Sequence, residues 1–71
     1  MTLKSITYLE KINVGDILAN INRTNEYHML VTADYEQDYF VTIPLANFDP
    51  YWRSTWAFKS LTRFYYKVEN A

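Results

Sequence analysis

The chain has no cysteine, one glycine, two prolines and one histidine, and it contains no long apolar run. Each scarcity removes a class of function. Without cysteine there is no disulfide and no thiolate metal site. The lone glycine, Gly15, cannot build either glycine-rich phosphate loop, since each needs at least two. The lone imidazole, His28, is no basis for zinc, which recruits several His or Cys ligands. No apolar stretch approaches the roughly 18 residues of a membrane span, and residues 1–11 lack the apolar centre of a secretory signal. The expectation is a cytoplasmic protein with no membrane partner.

What is present fits one small globular unit. The 71 residues are 49% apolar and 21% charged, with no repeat and no Pro/Gly/Ser linker, so residues 1–71 are expected to form a single domain. A chain of this length buries only about 60% of its unfolded surface, so its core is marginal. The net charge of -1 hides an asymmetry. Residues 1–50 hold three basic against seven acidic side chains, whereas residues 51–71 hold Arg53, Lys59, Arg63 and Lys67 against Glu69 alone. Eight of the thirteen aromatic residues also lie at or after Phe48, which makes the last third both basic and aromatic.

From Val14 onward apolar residues recur with period two, the signature of half-buried strands. Three strands emerge, separated by polar clusters at Asn22–Asn25 and Asp34–Asp38 that are short enough for hairpins. On one face they carry Ile17, Ala19 and Ile21, then Tyr27, Met29, Val31 and Ala33, then Tyr39, Val41, Ile43 and Leu45. The loop lengths pair Met29 with Ile43, Val31 with Val41 and Ala33 with Tyr39, and set Ala19 opposite Met29 and Ile17 opposite Val31. Ile17, Met29, Val31, Val41 and Ile43 are thus the expected interior. The second face carries Leu18, Leu30 and Phe40 among polar residues, and is expected to lie beneath the N-terminal segment or the C-terminal third. Left open, it would favour a homodimer. Two readings compete for the last third. Asp49-Pro50 is either an N-cap with proline at the first helical position, opening a helix with Trp52, Trp56 and Lys59 at helical spacing, or a turn, followed by a fourth strand at 54–58 and a final extended piece at 67–69. The second is favoured because Thr55, Trp56 and Phe58 prefer a strand. Ser60 caps a helical turn at Leu61–Tyr66, with Leu61, Phe64 and Tyr65 spaced to face the sheet.

Val14-Gly15-Asp16-Ile17-Leu18, followed by a tightly connected three-strand meander, resembles small SH3-like barrels of bacterial and phage accessory proteins over residues 14–45. The resemblance implies a mainly β fold, either such a barrel or a strongly bent antiparallel sheet with a short C-terminal helical turn. The Ala-Leu-Tyr-Asp-Tyr-type opening of signalling SH3 domains is missing, so the resemblance does not extend to Pro-rich peptide binding. The short, aromatic-rich, cysteine-free composition also resembles phage or mobile-element proteins that bind and inhibit a host factor.

Catalysis finds little support. His28 is expected on the solvent side of its strand beside Glu26, no Ser-His-Asp constellation shows by spacing, and a domain this small seldom encloses a catalytic pocket. Asp34, Glu36 and Asp38 alternate like calcium ligands, yet the Gly and Glu that an EF-hand loop requires are replaced by Tyr39 and Leu45. They fit a solvated hairpin tip, or an acidic tip that mimics phosphates toward a basic partner. The expected function is therefore a non-catalytic module with no cofactor and no metal, binding a protein partner through Tyr51, Trp52, Arg53 and Tyr35. Trp, Tyr and Arg dominate interface energies because they bury much area with few rotors to freeze. The alternative is single-stranded nucleic acid bound by Trp56, Lys59, Arg63 and Lys67, where rings stack on bases and cations hold phosphates.

Overall fold

The computed structural model describes residues 2–69. The chain forms β1 (Thr2–Ser5), β2 (Ile17–Asn20), β3 (Tyr27–Asp34), β4 (Tyr39–Pro44), β5 (Ser54–Trp56), α1 (Phe58–Phe64) and β6 (Tyr65–Glu69). Single 3₁₀ turns occupy Leu45–Asn47 and Pro50–Trp52. All strands join one open antiparallel sheet in the order β1-β6-β2-β3-β4-β5, so the fold is mainly β with one short helix. Gly15 leads into β2 with φ of 97°, a left-handed conformation that costs glycine little.

The meander forms, with two changes of register. Met29 pairs with Ile43 as expected, but a bulge between Leu30 and Thr32 then shifts the ladder. Val41 therefore meets Thr32 rather than Val31, and Ala33 meets Phe40 rather than Tyr39. Between β2 and β3 the pairs are Ile17–Met29 and Ala19–Tyr27, two residues from the expected register. Asn20 causes this shift: its Oδ1 accepts the Asn22 and Arg23 N–H groups at 2.9 and 3.1 Å, which starts the turn early. Ile21 then leaves the hairpin and donates its N–H to the Phe64 carbonyl at 2.8 Å. A shift of two preserves which side chains share a face.

The interior lies on the face opposite to the expected one. Leu18, Leu30 and Phe40 are fully buried, covered by Ile6 and Ile12 from the N-terminal segment, Phe58 and Leu61 from α1, and Tyr65 from β6. Both of the proposed covers are in place, and no open Leu18/Leu30/Phe40 surface remains for a homodimer. Ile17, Met29 and Val31 are only half-buried, while Ala19, Val41 and Ile43 are buried outside this cluster. Both faces are rich in apolar residues, so period two alone does not choose between them. The choice falls to α1, which must bury Phe58 and Leu61 against a sheet.

His28 also differs from expectation: it pairs with Leu18 on the core face and is 7% exposed. Its Nε2 lies 3.2 Å from Glu26 Oε1 and its ring meets the Tyr65 ring edge-on, while Nδ1 is buried with no hydrogen-bond partner among the described residues. In the last third, the fourth strand is shorter than expected, Ser54–Trp56, and the helix is displaced to Phe58–Phe64 with Ser60 inside it. Tyr65 and Tyr66 therefore belong to the final extended piece, Tyr65–Glu69, rather than to a helical turn. Ala57 offers no capping side chain, and Asp38 Oδ1 instead accepts the Phe58 N–H at 2.7 Å from across the molecule. Leu61 and Tyr65 are buried as expected, whereas Phe64 is 44% exposed.

Candidate functional site

The loop from β4 to β5 concentrates exposed apolar side chains. Leu45, Phe48, Tyr51 and Trp52 are all exposed, Tyr51 to 73% and Trp52 to 56%. The backbone beneath them is held locally. Asp49 Oδ1 accepts the Tyr51 N–H at 2.8 Å, Pro50 fills the first position of the 3₁₀ turn, and the Trp52 N–H donates to the Asp49 carbonyl at 2.9 Å. This is an N-cap followed by proline at the first helical position, confined to one turn. The Tyr51 and Trp52 rings stack with centroids 5.2 Å apart and planes 28° apart. Arg53 folds back so that Nη1 donates to the Pro50 carbonyl at 2.9 Å, and it forms no ion pair among the described residues. Two large rings and a guanidinium are thereby held at the surface in one arrangement by local hydrogen bonds.

Tyr35 is placed differently from the other three candidate residues. Its hydroxyl accepts the Ile12 N–H at 2.9 Å and donates to the Ile12 carbonyl at 3.0 Å. Its ring packs against Phe40 and Phe58, with Lys11 Nζ 5.1 Å from the ring centroid. Burial raises the phenol pKa above its usual value, against the opposing effect of the backbone bond to Ile12. Asp34 and Asp38 are committed to the fold as well: Asp34 Oδ1 accepts the Gln37 N–H at 3.0 Å, and Asp38 caps α1. Of the acidic tip, Glu36 alone makes no hydrogen bond or ion pair among the described residues.

The basic and aromatic residues of the last third do not form one groove. Trp56 donates its indole N–H to Thr42 Oγ1 at 3.0 Å and packs against Phe64 and Tyr65, so its ring belongs to the margin of the core. Burial raises the Tyr65 phenol, opposed by its hydrogen bond with Thr42. Lys67 is half-buried, with Nζ 3.7 Å from Asp16 Oδ2. Lys59 and Arg63 stand exposed one turn apart on α1 with no ion pair among the described residues. No carboxylate occurs from residue 50 to residue 68, so Arg53, Lys59 and Arg63 form a basic stretch without acidic side chains of its own.

Beside the Leu45–Asn47 turn, β4 stops pairing at Pro44, and an open recess of about 390 Å³ separates Pro44–Ala46 from Arg23 and Tyr27. Sequence pattern alone does not single out Leu45 and Phe48: the period-two alternation carries Leu45 as the last residue of an apolar strand face, whereas β4 ends one residue earlier. No group of three His, Cys, Asp or Glu residues suited to a metal occurs among the described residues. Among the same residues, no helix is long and apolar enough to cross a membrane. Compared with protein families, curated proteins and solved structures, the chain matches none.

Proposed function

We propose that this chain is a non-catalytic, SH3-like β module that binds a protein partner through Tyr51, Trp52 and Arg53, acting in the cytoplasm on a host factor. The observation that carries this reading is the exposed Tyr51–Trp52 stack on a locally braced turn, with Arg53 held beside it. An exposed aromatic pair with a guanidinium supplies what an interface centre needs: large buried area, few rotors and several donors. Phe48 extends the apolar surface, whereas Tyr35 drops out because its ring and hydroxyl already serve the fold. The host-factor assignment rests on compositional resemblance to phage and mobile-element proteins.

Affinity capture from native host lysate, with and without nuclease, tests the proposal. The parent chain should retain a specific protein after nuclease treatment, and Trp52→Ala with Arg53→Ala should lose it while keeping its circular dichroism spectrum. Retention of that partner by a folded double variant refutes the assignment. A second reading, single-stranded nucleic acid, draws on Lys59 and Arg63, which form no ion pair among the described residues. It requires binding to mixed oligonucleotides at about 50 mM salt that weakens steeply as salt rises.

A further inference from the structure

The open sheet has two edges, and they are defended unequally. At one edge, β1 carries Lys4, whose Nζ lies 2.7 Å from Glu10 Oε1. A charged side chain on an edge strand discourages further pairing. At the other edge, Ser54-Thr55-Trp56 has neither charge nor proline, and no backbone group of β5 bonds to anything but β4 among the described residues. Only its shortness guards it. Ser54 and Trp56 pair with Thr42 and Phe40 of the core face, leaving Thr55 exposed between them. The stacked Tyr51 and Trp52 immediately precede this edge, and α1 begins one residue after it.

We propose that the partner supplies an extended acidic segment that adds to β5 as a further strand, its backbone pairing with Ser54–Trp56 and its carboxylates meeting Arg53 and Lys59. This rests on the reading of Tyr51, Trp52 and Arg53 as the interaction surface. Main-chain bonds give such strand addition its affinity, and side chains at alternate positions give it specificity. Charge selects the occupant. Arg53 and Lys59 flank the edge along the chain, both exposed and without an ion pair among the described residues. The carboxylates nearest them, Asp49 along the chain and Asp38 at the start of α1, are engaged with the Tyr51 and Phe58 N–H groups. A second copy fits poorly, because antiparallel pairing of two β5 strands about Thr55 sets Arg53 of one copy opposite Ala57 of the other, two residues from Lys59, and gives neither cation a carboxylate. Single-stranded nucleic acid satisfies the cations but leaves the strand's amides and carbonyls unpaired, and the Trp56 ring is turned into the core margin.

The test uses the intact chain and four probes: the peptide acetyl-Asp-Val-Glu-Val-Asp-Val-amide, the same peptide N-methylated at alternate residues, its all-lysine counterpart, and a dodecamer of deoxythymidine. Amide shifts and hydrogen exchange are read by NMR. The acidic peptide should slow exchange within Ser54–Trp56 and shift the Trp52 indole. N-methylation, or Arg53→Glu with Lys59→Glu, should weaken binding at least about tenfold. Equal binding of the N-methylated peptide, equal binding of the lysine peptide, preference for the oligonucleotide, absence of peptide binding, or a concentration-dependent dimer mapping to β5 each overturns the proposal. If lysate capture still depends on Trp52 and Arg53 while the peptide arm fails, strand addition is wrong and the surface stands; if capture is also indifferent to them, both are wrong.

Discussion

The hairpin tip Asp34–Asp38 and the loop Leu45–Arg53 look alike in sequence, each mixing aromatic and charged residues at a turn. Their bonds set them apart. The tip reaches far along the chain, from Tyr35 to Ile12 across 23 residues and from Asp38 to Phe58 across 20. Side-chain bonds within the loop span two or three residues, from Asp49 to Tyr51 and from Arg53 to Pro50. The tip fastens the N-terminal segment and α1 to the meander, while the loop holds only its own shape. Similar composition serves stability in one place and availability in the other, and the sequence separation of the bonding partners tells them apart.

The largest effect should come from the tip. Asp38→Gly suits the positive φ of 52° at that position but removes the acceptor at the start of α1. Loss of this hydrogen bond to a charged acceptor costs about 2 kcal/mol, and each kcal/mol lowers the melting temperature by roughly 4–8 °C in a domain of this size. A melting curve unchanged from the parent would show that α1 does not depend on Asp38.

Tyr35→Phe comes next, at about 1 kcal/mol by denaturant titration, because it deprives the Ile12 N–H and carbonyl of their partner. It also alters the alkaline limb. Tyr35 and Tyr65 bind their phenolic protons more tightly folded than unfolded, chiefly through burial. Their contribution is therefore complete below the unfolded pKa of about 10 and is lost as pH climbs from there through the higher folded values. Stability measured from pH 8 to 11 should fall less steeply in Tyr35→Phe than in the parent. An identical slope would mean that burial of this phenol has no energetic consequence.

Tyr51→Ala and Trp52→Ala should have the smallest effect on the fold, within about 0.5 kcal/mol, since neither ring packs on the core. A loss larger than that of Asp38→Gly would reverse the comparison.

Much of the architecture is legible in local pattern. Period two locates β2, β3 and β4, and Asp49-Pro50 announces a capped turn. The Met29–Ile43 pair, by contrast, matches the expected one only because the bulge offsets a β3–β4 turn one residue shorter than the loop length implies. What local pattern conceals is set by distant partners. Leu18, Leu30 and Phe40 become interior because Ile12, Phe58 and Leu61 settle on them, and no spacing within the meander records that event. The bulge after Leu30 inserts one residue into an otherwise regular alternation, which shifts every pair beyond it. His28 sits in a polar-looking stretch yet lies opposite Leu18, so its burial follows from the choice of face. At the surface, Tyr51, Trp52 and Arg53 are recognisable as residues that no strand or helix period claims. Tyr35 has the same appearance, and only its bond to a backbone 23 residues earlier removes it from the candidate surface.

The cap that Asp38 lends to α1 carries a further consequence for the native state. A seven-residue helix is far below the length that persists unaided in water, and this one has no cap from its own N-terminal flank. Its first amide meets the Asp38 carboxylate only where the β3–β4 hairpin is closed, so a native C-terminal third requires a native middle of the chain.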